Sequence, residues 1–123
     1  MDRAIFSPEE PLLLESFELI EKAIMSYGGD PSVGRKLWPI LNEVGFRDIL
    51  ISSSWEQPET FQEWPNLYKG WMNVLDGKLG EIVIKNGWVD EEHLHNIKKA
   101  YLNLGHNKSG YAGSPWGEAV ARK

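Results

Sequence analysis

A glycine-rich stretch at 26–38, SYGGDPSVGRKLW, is the segment whose residue types are best suited to binding a phosphate. A dinucleotide site needs G-x-G-x-x-G directly after a strand, and a Walker loop ends in Gly-Lys followed by Ser or Thr. Neither spacing is present, and the apolar pattern before the stretch is helical. Asp30 followed by Pro31 is typical of a helix start, and Gly28 and Gly29 of the end of the preceding helix. We therefore interpret the stretch as a junction between two helices, without a cofactor-binding residue.

The other groups that could do chemistry lack the spacing that a site needs. His93 and His95 lie two apart on a predicted helix, so they face different sides and do not suit one metal ion, and we interpret them as exposed surface residues. The row SSSW at 52–55 lacks the Gly-x-Ser-x-Gly pattern of a serine nucleophile. Glu91 and Glu92 are explained as acidic residues at a helix start. We predict no catalytic residue and no metal site in this chain.

Six tryptophans are many for 123 residues. Large aromatic side chains fill cores, line pockets for apolar molecules and form subunit interfaces. Core packing is the favoured interpretation for any one of them. If the chain holds a pocket for a small apolar or aromatic ligand, the residues predicted to line it are Trp55, Trp71, Tyr111 and Trp116.

The length and charge of the chain restrict the classes of partner. A chain of 123 residues fits one domain, 1–123, and its net charge of -5 argues against a nucleic-acid partner. Adjacent basic residues occur only as separate pairs, such as Lys98 and Lys99, and not in a longer cluster. There is no cysteine, which is compatible with a reducing cytoplasm, and no apolar run long enough to cross a membrane. We expect a cytoplasmic protein without a membrane partner.

The pattern of apolar residues predicts the order helix, helix, strand, three helices, strand. Apolar residues at intervals of three and four predict a helix over 10–27. SPEE at 7–10 has the form of a capping box, and Pro11 leaves the exact start of the helix open. A second helix is predicted over 31–44, interrupted or kinked at Pro39 and ended by Gly45. A strand with both faces partly covered is predicted over 48–55. Two helices follow across 58–86. EIVIK at 81–85 would also suit a strand, but the helix stop at Gly87 favours a helix. A third helix begins at the N-cap Asp90 and ends at Gly105, and the segment WGEAVAR at 116–122 is predicted to be a strand.

Three segments carry a family resemblance: SPEEP at 7–11, GGDPSVGRKLWPILNEVGFRDI at 28–49 and SPWGEAVARK at 114–123. Together they resemble the C-terminal part of class I S-adenosylmethionine-dependent methyltransferases that act on small molecules. In that family a Gly-Asp-Pro-x-x-Gly-Arg segment leads into the helix before strand six, and Pro-Trp-Gly-Glu-Ala-Val forms the antiparallel strand seven. The resemblance is loose between about 56 and 107.

The resemblance implies an α+β, mostly helical fold of about five helices and a two-stranded antiparallel pair. This pair would be the strand-six and strand-seven end of a Rossmann-like methyltransferase, with a helical insertion at about 57–105 over the acceptor side. The family binds its methyl donor through a glycine-rich loop after strand one and an acidic residue after strand two, and we find neither here. The resemblance therefore implies a tail-like chain without a donor-binding site, which uses S-adenosylmethionine only if another polypeptide supplies that half.

Three functions follow as hypotheses. The favoured one is a non-catalytic protein that acts in binding or assembly as a homodimer, because two strands alone are marginally stable. The second is an acceptor-side subunit that completes a split methyltransferase with a donor-binding partner. The third is a binding module for a small apolar or aromatic ligand.

Overall fold

The computed structural model describes residues 4–58 and 61–123, the side chain of Phe61 excepted. Five helices and three strands make the described part an α+β, mostly helical fold, as predicted, with one strand more than expected. The strands are β1 (Ile5–Ser7), β2 (Arg47–Glu56) and β3 (Tyr111–Arg122). The helices are α1 (Pro11–Ser26), α2 (Leu37–Glu43), α3 (Trp64–Asp76), α4 (Lys78–Lys85) and α5 (Glu91–His106), with short 3-10 turns at Val33–Lys36 and Phe61–Glu63.

The additional strand corrects the capping box that was predicted at 7–10. Ser7 is the last residue of β1 and does not cap the helix. The N-cap is Glu10, whose Oε1 accepts a hydrogen bond of 3.3 Å from the Leu12 N–H. A helix that began near Pro8 would place Pro11 where its ring meets the preceding turn, whereas proline is tolerated at the first helical position. The helix therefore begins at Pro11.

The helix predicted over 31–44 is interrupted, but before Leu37 and not at Pro39: it is divided into the 3-10 turn at Val33–Lys36 and α2. Asp30 organises the turn: its Oδ1 accepts hydrogen bonds from the backbone and the hydroxyl of Ser32, and its Oδ2 lies 2.5 Å from Lys36 Nζ. The hydrogen bond from Lys36, together with those from Ser32, holds the pKa of the Asp30 carboxyl well below its ordinary value. The predicted cap at Asp30 is thus present, but it starts a turn.

The ends of α2 and α4 and the start of α5 are confirmed. Gly45 has φ of 93° and the Phe46 N–H donates to the Leu41 carbonyl at 3.0 Å, the bond that closes a Schellman ending. The Trp88 N–H donates in the same way to Val83. At the N-terminus of α5, Asp90 Oδ1 accepts from the His93 N–H at 2.7 Å.

The predicted end of α5 at Gly105 is wrong, because the helix continues to His106. Gly105 has a packing role. A Cβ atom at this position would lie 2.3 Å from ring carbons of Tyr68, which is buried on α3. The missing side chain lets α3 and α5 approach closely.

We call β1, α1, α3, α4, α5 and residues 111–113 of β3 the helical body. Its core contains an aromatic cluster in which Phe17 and Trp71 meet edge to face at 5.3 Å, and Phe6 lies 5.8 Å from each ring. Ser16 and Tyr101 form a buried hydrogen bond of 2.5 Å between α1 and α5. Burial raises the pKa of Tyr101 to about 12. The buried apolar residues are Ala4, Phe6, Leu13, Leu19, Ala23, Trp64, Tyr68, Leu75, Val83, Leu94, Ile97, Ala100, Tyr101, Leu104 and Ala112.

The sheet has the order β1-β3-β2, and both pairs are antiparallel. β1 pairs with only the first three residues of β3, whereas β2 pairs with β3 from Glu56 opposite Ser114 to Arg47 opposite Arg122. We call the 3-10 turn at Val33–Lys36, α2, β2 and residues 114–122 of β3 the arm. The faces of β2 are less covered than predicted, since none of its residues is buried.

Candidate binding surface

The four residues predicted to line a pocket do not lie together. Trp71 packs in the aromatic cluster of the helical body. Trp55 stands opposite Pro115, and Trp116 stands opposite Ser54. Since neighbouring residues of a strand point to opposite faces, Trp55 and Trp116 lie on opposite faces of the arm.

Trp55 and Tyr111 share one face of the sheet. Both rings lie near Gly113: a Cβ atom there would be 2.6 Å from the Tyr111 hydroxyl and 3.4 Å from Trp55. The Tyr111 hydroxyl donates a hydrogen bond of 2.8 Å to Gln57 Oε1. The 3-10 turn covers the same face further along, where Gly34 packs on Gly117.

The opposite face of the arm, which we call the open face, carries apolar residues in solvent. Leu50 and Val120 stand opposite each other and are 70% and 71% exposed, and Trp116 is 57% exposed. Exposed apolar patches on a folded domain mark sites of interaction with other molecules.

Polar contacts on the open face fix its geometry. Ser54 Oγ donates a hydrogen bond of 2.6 Å to Glu118 Oε1, and the Trp116 indole N–H donates to Glu56 Oε2 at 3.1 Å. At the outer end, Arg122 Nε lies 3.9 Å from Asp48 Oδ2. These contacts order the surface, and none of them is a nucleophile–base pair.

One edge of β3 is free of a strand partner. β1 covers this edge only opposite residues 111–113, and in the described chain no other strand pairs with residues 114–122 on that side. Along such an edge, every second residue presents its N–H and C=O groups outward, where another extended segment can pair with them. The free edge and the open face meet at Val120.

The tryptophans divide equally between the two parts of the molecule. Three belong to or pack against the core of the helical body, as the core interpretation predicts, and three are exposed on the arm. The first three are Trp64, Trp71 and Trp88, and the others are Trp38, Trp55 and Trp116. Further exposed apolar residues of the arm are Val33, Ile40 and Ile51, and Val44, which directly follows α2, is exposed as well.

An open groove of about 570 Å³ lies among α3, α4 and α5. Its floor is apolar, with Leu75, Ile84 and Leu94, and an ion pair between Asp76 and Lys98 lies at its rim. None of the predicted pocket residues lines it. A second cavity of about 120 Å³ lies near Leu13 and Leu104 and also lacks them.

The histidines do not form a metal cluster in the described part of the chain. His93, which we interpreted as an exposed surface residue, is half-buried, and its Nε2 lies 2.8 Å from Glu15 Oε2. This contact joins α5 to α1. His95 lies on the groove.

Sequence reasoning did not identify Leu50, Glu118, Val120 and Arg122 as surface residues of interest. Their strands were predicted, but alternation alone does not tell which face of a strand remains uncovered.

The chain matches no protein-family model, and no curated protein matches it. Among the described residues, no helix has the length and apolar character needed to span a bilayer. The methyltransferase resemblance therefore stays a prediction. Its two well-defined segments, 28–49 and 114–123, coincide with most of the arm, and its loose section coincides with α3, α4 and α5.

Proposed function

We propose that this chain acts in binding or assembly and that the arm is the surface through which it associates with another polypeptide. The observation that carries the proposal is the meeting of a free strand edge with exposed apolar residues at Val120 and Leu50. A strand edge offers backbone hydrogen bonds, and the apolar face offers area that gains free energy when water is removed from it. A partner that pairs with the edge would cover both.

The core of the helical body supports this assignment. The buried residues belong to α1, α3, α4, α5, β1 and the start of β3, so the exposed apolar residues of the arm are not part of that core. Solvent-exposed apolar residues of this kind stabilise an interface when a partner covers them. A cytoplasmic location is part of the proposal.

A second candidate function is the acceptor-side subunit of a split S-adenosylmethionine-dependent methyltransferase. It is favoured by the coincidence of the arm with the segments that resemble the methyltransferase tail. In this case the free edge of β3 would extend the sheet of a donor-binding polypeptide. That polypeptide would hold S-adenosylmethionine, and this chain would supply the helical cover.

Sedimentation velocity at protein concentrations from about 1 to about 100 µM tests the proposal, because weak interfaces have dissociation constants in this range. We expect reversible association that Leu50→Ser weakens. Leu102→Ser, an exposed leucine of α5 in the helical body, is the matched control and should leave association unchanged. A wild-type chain that stays monomeric throughout contradicts self-assembly.

Titration calorimetry with S-adenosylmethionine tests the tail-like interpretation that both candidates share. The isolated chain is expected to give no binding heat. Micromolar affinity of the isolated chain would contradict the tail-like interpretation, since the donor site would then lie within these residues.

A further inference from the structure

We propose that the free edge of β3 binds the same edge of a second copy, antiparallel and with Val120 of one copy opposite Val120 of the other. The inference rests on the proposed function and names its partner and its register. The observation that supports the inference is the arrangement of four residues around the free edge: Leu50, Glu118, Val120 and Arg122.

The symmetry of such a pair restricts the register. Two identical antiparallel edges are related by a two-fold axis perpendicular to the sheet, so residues of the open face meet residues of the open face. The axis must then pass through a cross-strand pair that is formed by the same residue of the two copies. Pro115 lacks an N–H group, and Gly117 is covered by Gly34, so the usable part of the edge is 118–122.

Charge selects one of the available registers. If Glu118 stood opposite Glu118, two like charges would face each other at the centre, which destabilises a strand pair. If Ala119 stood at the axis, Glu118 would face the apolar Val120. With Val120 at the axis, Glu118 of each copy stands opposite Arg122 of the other, and two opposite-charge pairs flank the axis.

The present surroundings of Arg122 favour an added carboxylate. It stands opposite Arg47 on β2, so two guanidinium groups share one cross-strand position. The carboxylate of Asp48 lies 3.9 Å from Arg122 Nε, yet the Arg122 side chain is 81% exposed. Glu118 of the second copy would approach Arg122 from the side away from Arg47.

The apolar residues become continuous in the same register. On the open face, the row across the dimer is Leu50, Val120, Val120 of the second copy and Leu50 of the second copy. On the other face, Ala119 stands opposite Ala121, and these small side chains meet without a clash. The pairing thus brings the two exposed Val120 side chains into contact, makes the apolar row continuous across the dimer, and joins two strand pairs into one sheet.

A charge-swap cycle measured by sedimentation tests the register. Glu118→Arg places arginine opposite arginine twice, and Arg122→Glu places glutamate opposite glutamate twice. Each single variant should weaken self-association by at least about tenfold, as like charges at an interface do. A mixture of the two variants should recover association as a heterodimer, and the double swap Glu118→Arg/Arg122→Glu should recover it as a homodimer.

Single cysteines provide a second measurement, because the chain has none of its own. Val120→Cys should be joined to its copy by a short thiol-reactive crosslinker, since residues directly opposite have Cβ atoms about 5 Å apart. Ser52→Cys is the matched control: it is exposed on the same face but on β2, three strand spacings of about 4.8 Å from its copy. It should not crosslink.

The outcomes separate the inference from the proposed function. Recovery in the mixture together with crosslinking at 120 supports the register. If the wild-type chain associates and Leu50→Ser weakens it, but the mixture does not recover and Val120→Cys does not crosslink, the pairing is overturned and assembly through the arm stands. A monomeric wild-type chain overturns the pairing and self-assembly through the arm.

Discussion

The helical body and the arm both contain large apolar side chains, but they place them in opposite environments. In the helical body, Leu13 and Tyr101 are fully buried, and Trp71 meets two phenylalanines. In the arm, Leu50 and Val120 are among the most exposed apolar residues described. The body's core is complete among its own elements, whereas the apolar groups of the arm gain free energy only when another molecule covers them.

The difference is also one of polar contacts. In the helical body, Ser16 and Tyr101 bond in the core, and His93 joins Glu15 between two helices. In the arm, the bonds of Ser54 to Glu118 and of Trp116 to Glu56 lie on an exposed surface. Exposed contacts contribute little to folding stability, so residues of the arm can be changed with little effect on the fold.

A matched pair of leucines provides the strongest test of this difference. Leu13→Ala should lower the free energy of unfolding by about 2 to 5 kcal/mol, because it leaves a cavity in the core. Leu50→Ala should change it by less than about 0.5 kcal/mol. Urea denaturation followed by circular dichroism, at a concentration where the chain is monomeric, measures both. Equal losses would show that the arm contributes to the core.

A pair of helical glycines tests how tightly the helical body is packed. Gly105→Ala should lower the free energy of unfolding by about 1 to 3 kcal/mol, since its Cβ overlaps the buried ring of Tyr68. Gly70→Ala meets no atom within 4 Å and should raise it by about 0.5 to 1 kcal/mol through helix propensity. The midpoint of thermal unfolding should fall for Gly105→Ala and rise for Gly70→Ala. A shift in the same direction would contradict close packing at Gly105.

Tyr101→Phe tests the buried hydrogen bond of the helical body. The loss of the bond to Ser16 should cost about 1 kcal/mol at neutral pH. Because the pKa of Tyr101 is raised from 10.0 to about 12 in the folded chain, its contribution to stability is complete below pH 10 and is lost as the pH rises to 12. Denaturation measured between pH 10 and pH 12 should show that the free energy of unfolding falls less steeply with pH for Tyr101→Phe than for the wild type.

The smallest expected effect concerns the carboxyl group of Asp30, which is exposed at the base of the arm. Its pKa is lowered mainly by the hydrogen bond from Lys36, so its contribution is present above the ordinary value of 3.8 and is lost as the pH falls below it. Lys36→Met should raise the midpoint of an NMR titration of the Asp30 carboxyl. Ser32→Ala should raise it less, because the contribution of Lys36 is larger. The reverse order would contradict this assignment.

Local signals predicted the elements that local bonds determine. Asp90, Gly45 and Gly87 act within one helical turn of their own positions, so α5 begins, and α2 and α4 end, where the residues indicate. β1 was missed because three residues next to a proline carry no period, and its pairing depends on residues more than 100 positions away. The role of Gly105 was misread for the same reason: the ring that it contacts belongs to another helix.

The candidate surface was predicted only in part. Trp55 and Trp116 were identified as candidate ligand residues, but their strand register puts them on opposite faces. Tertiary packing determines whether a helix covers Val120 or leaves it exposed. The alternation of residues in a strand gives no information about this packing. The free edge follows from the shortness of β1, and this too was outside the reach of sequence patterns.

The insertion of three helices between β2 and β3 has a consequence for the order of folding. The paired residues of these strands lie roughly 60 to 75 positions apart along the chain, so their pairing carries a high loop-closure cost. Formation of α3, α4 and α5 shortens the effective loop and brings Glu56 near Ser114, from which the pair can extend toward Arg47 and Arg122. We therefore expect the arm to form after the helical body during refolding, and the binding surface to become available only when the rest of the chain is already native.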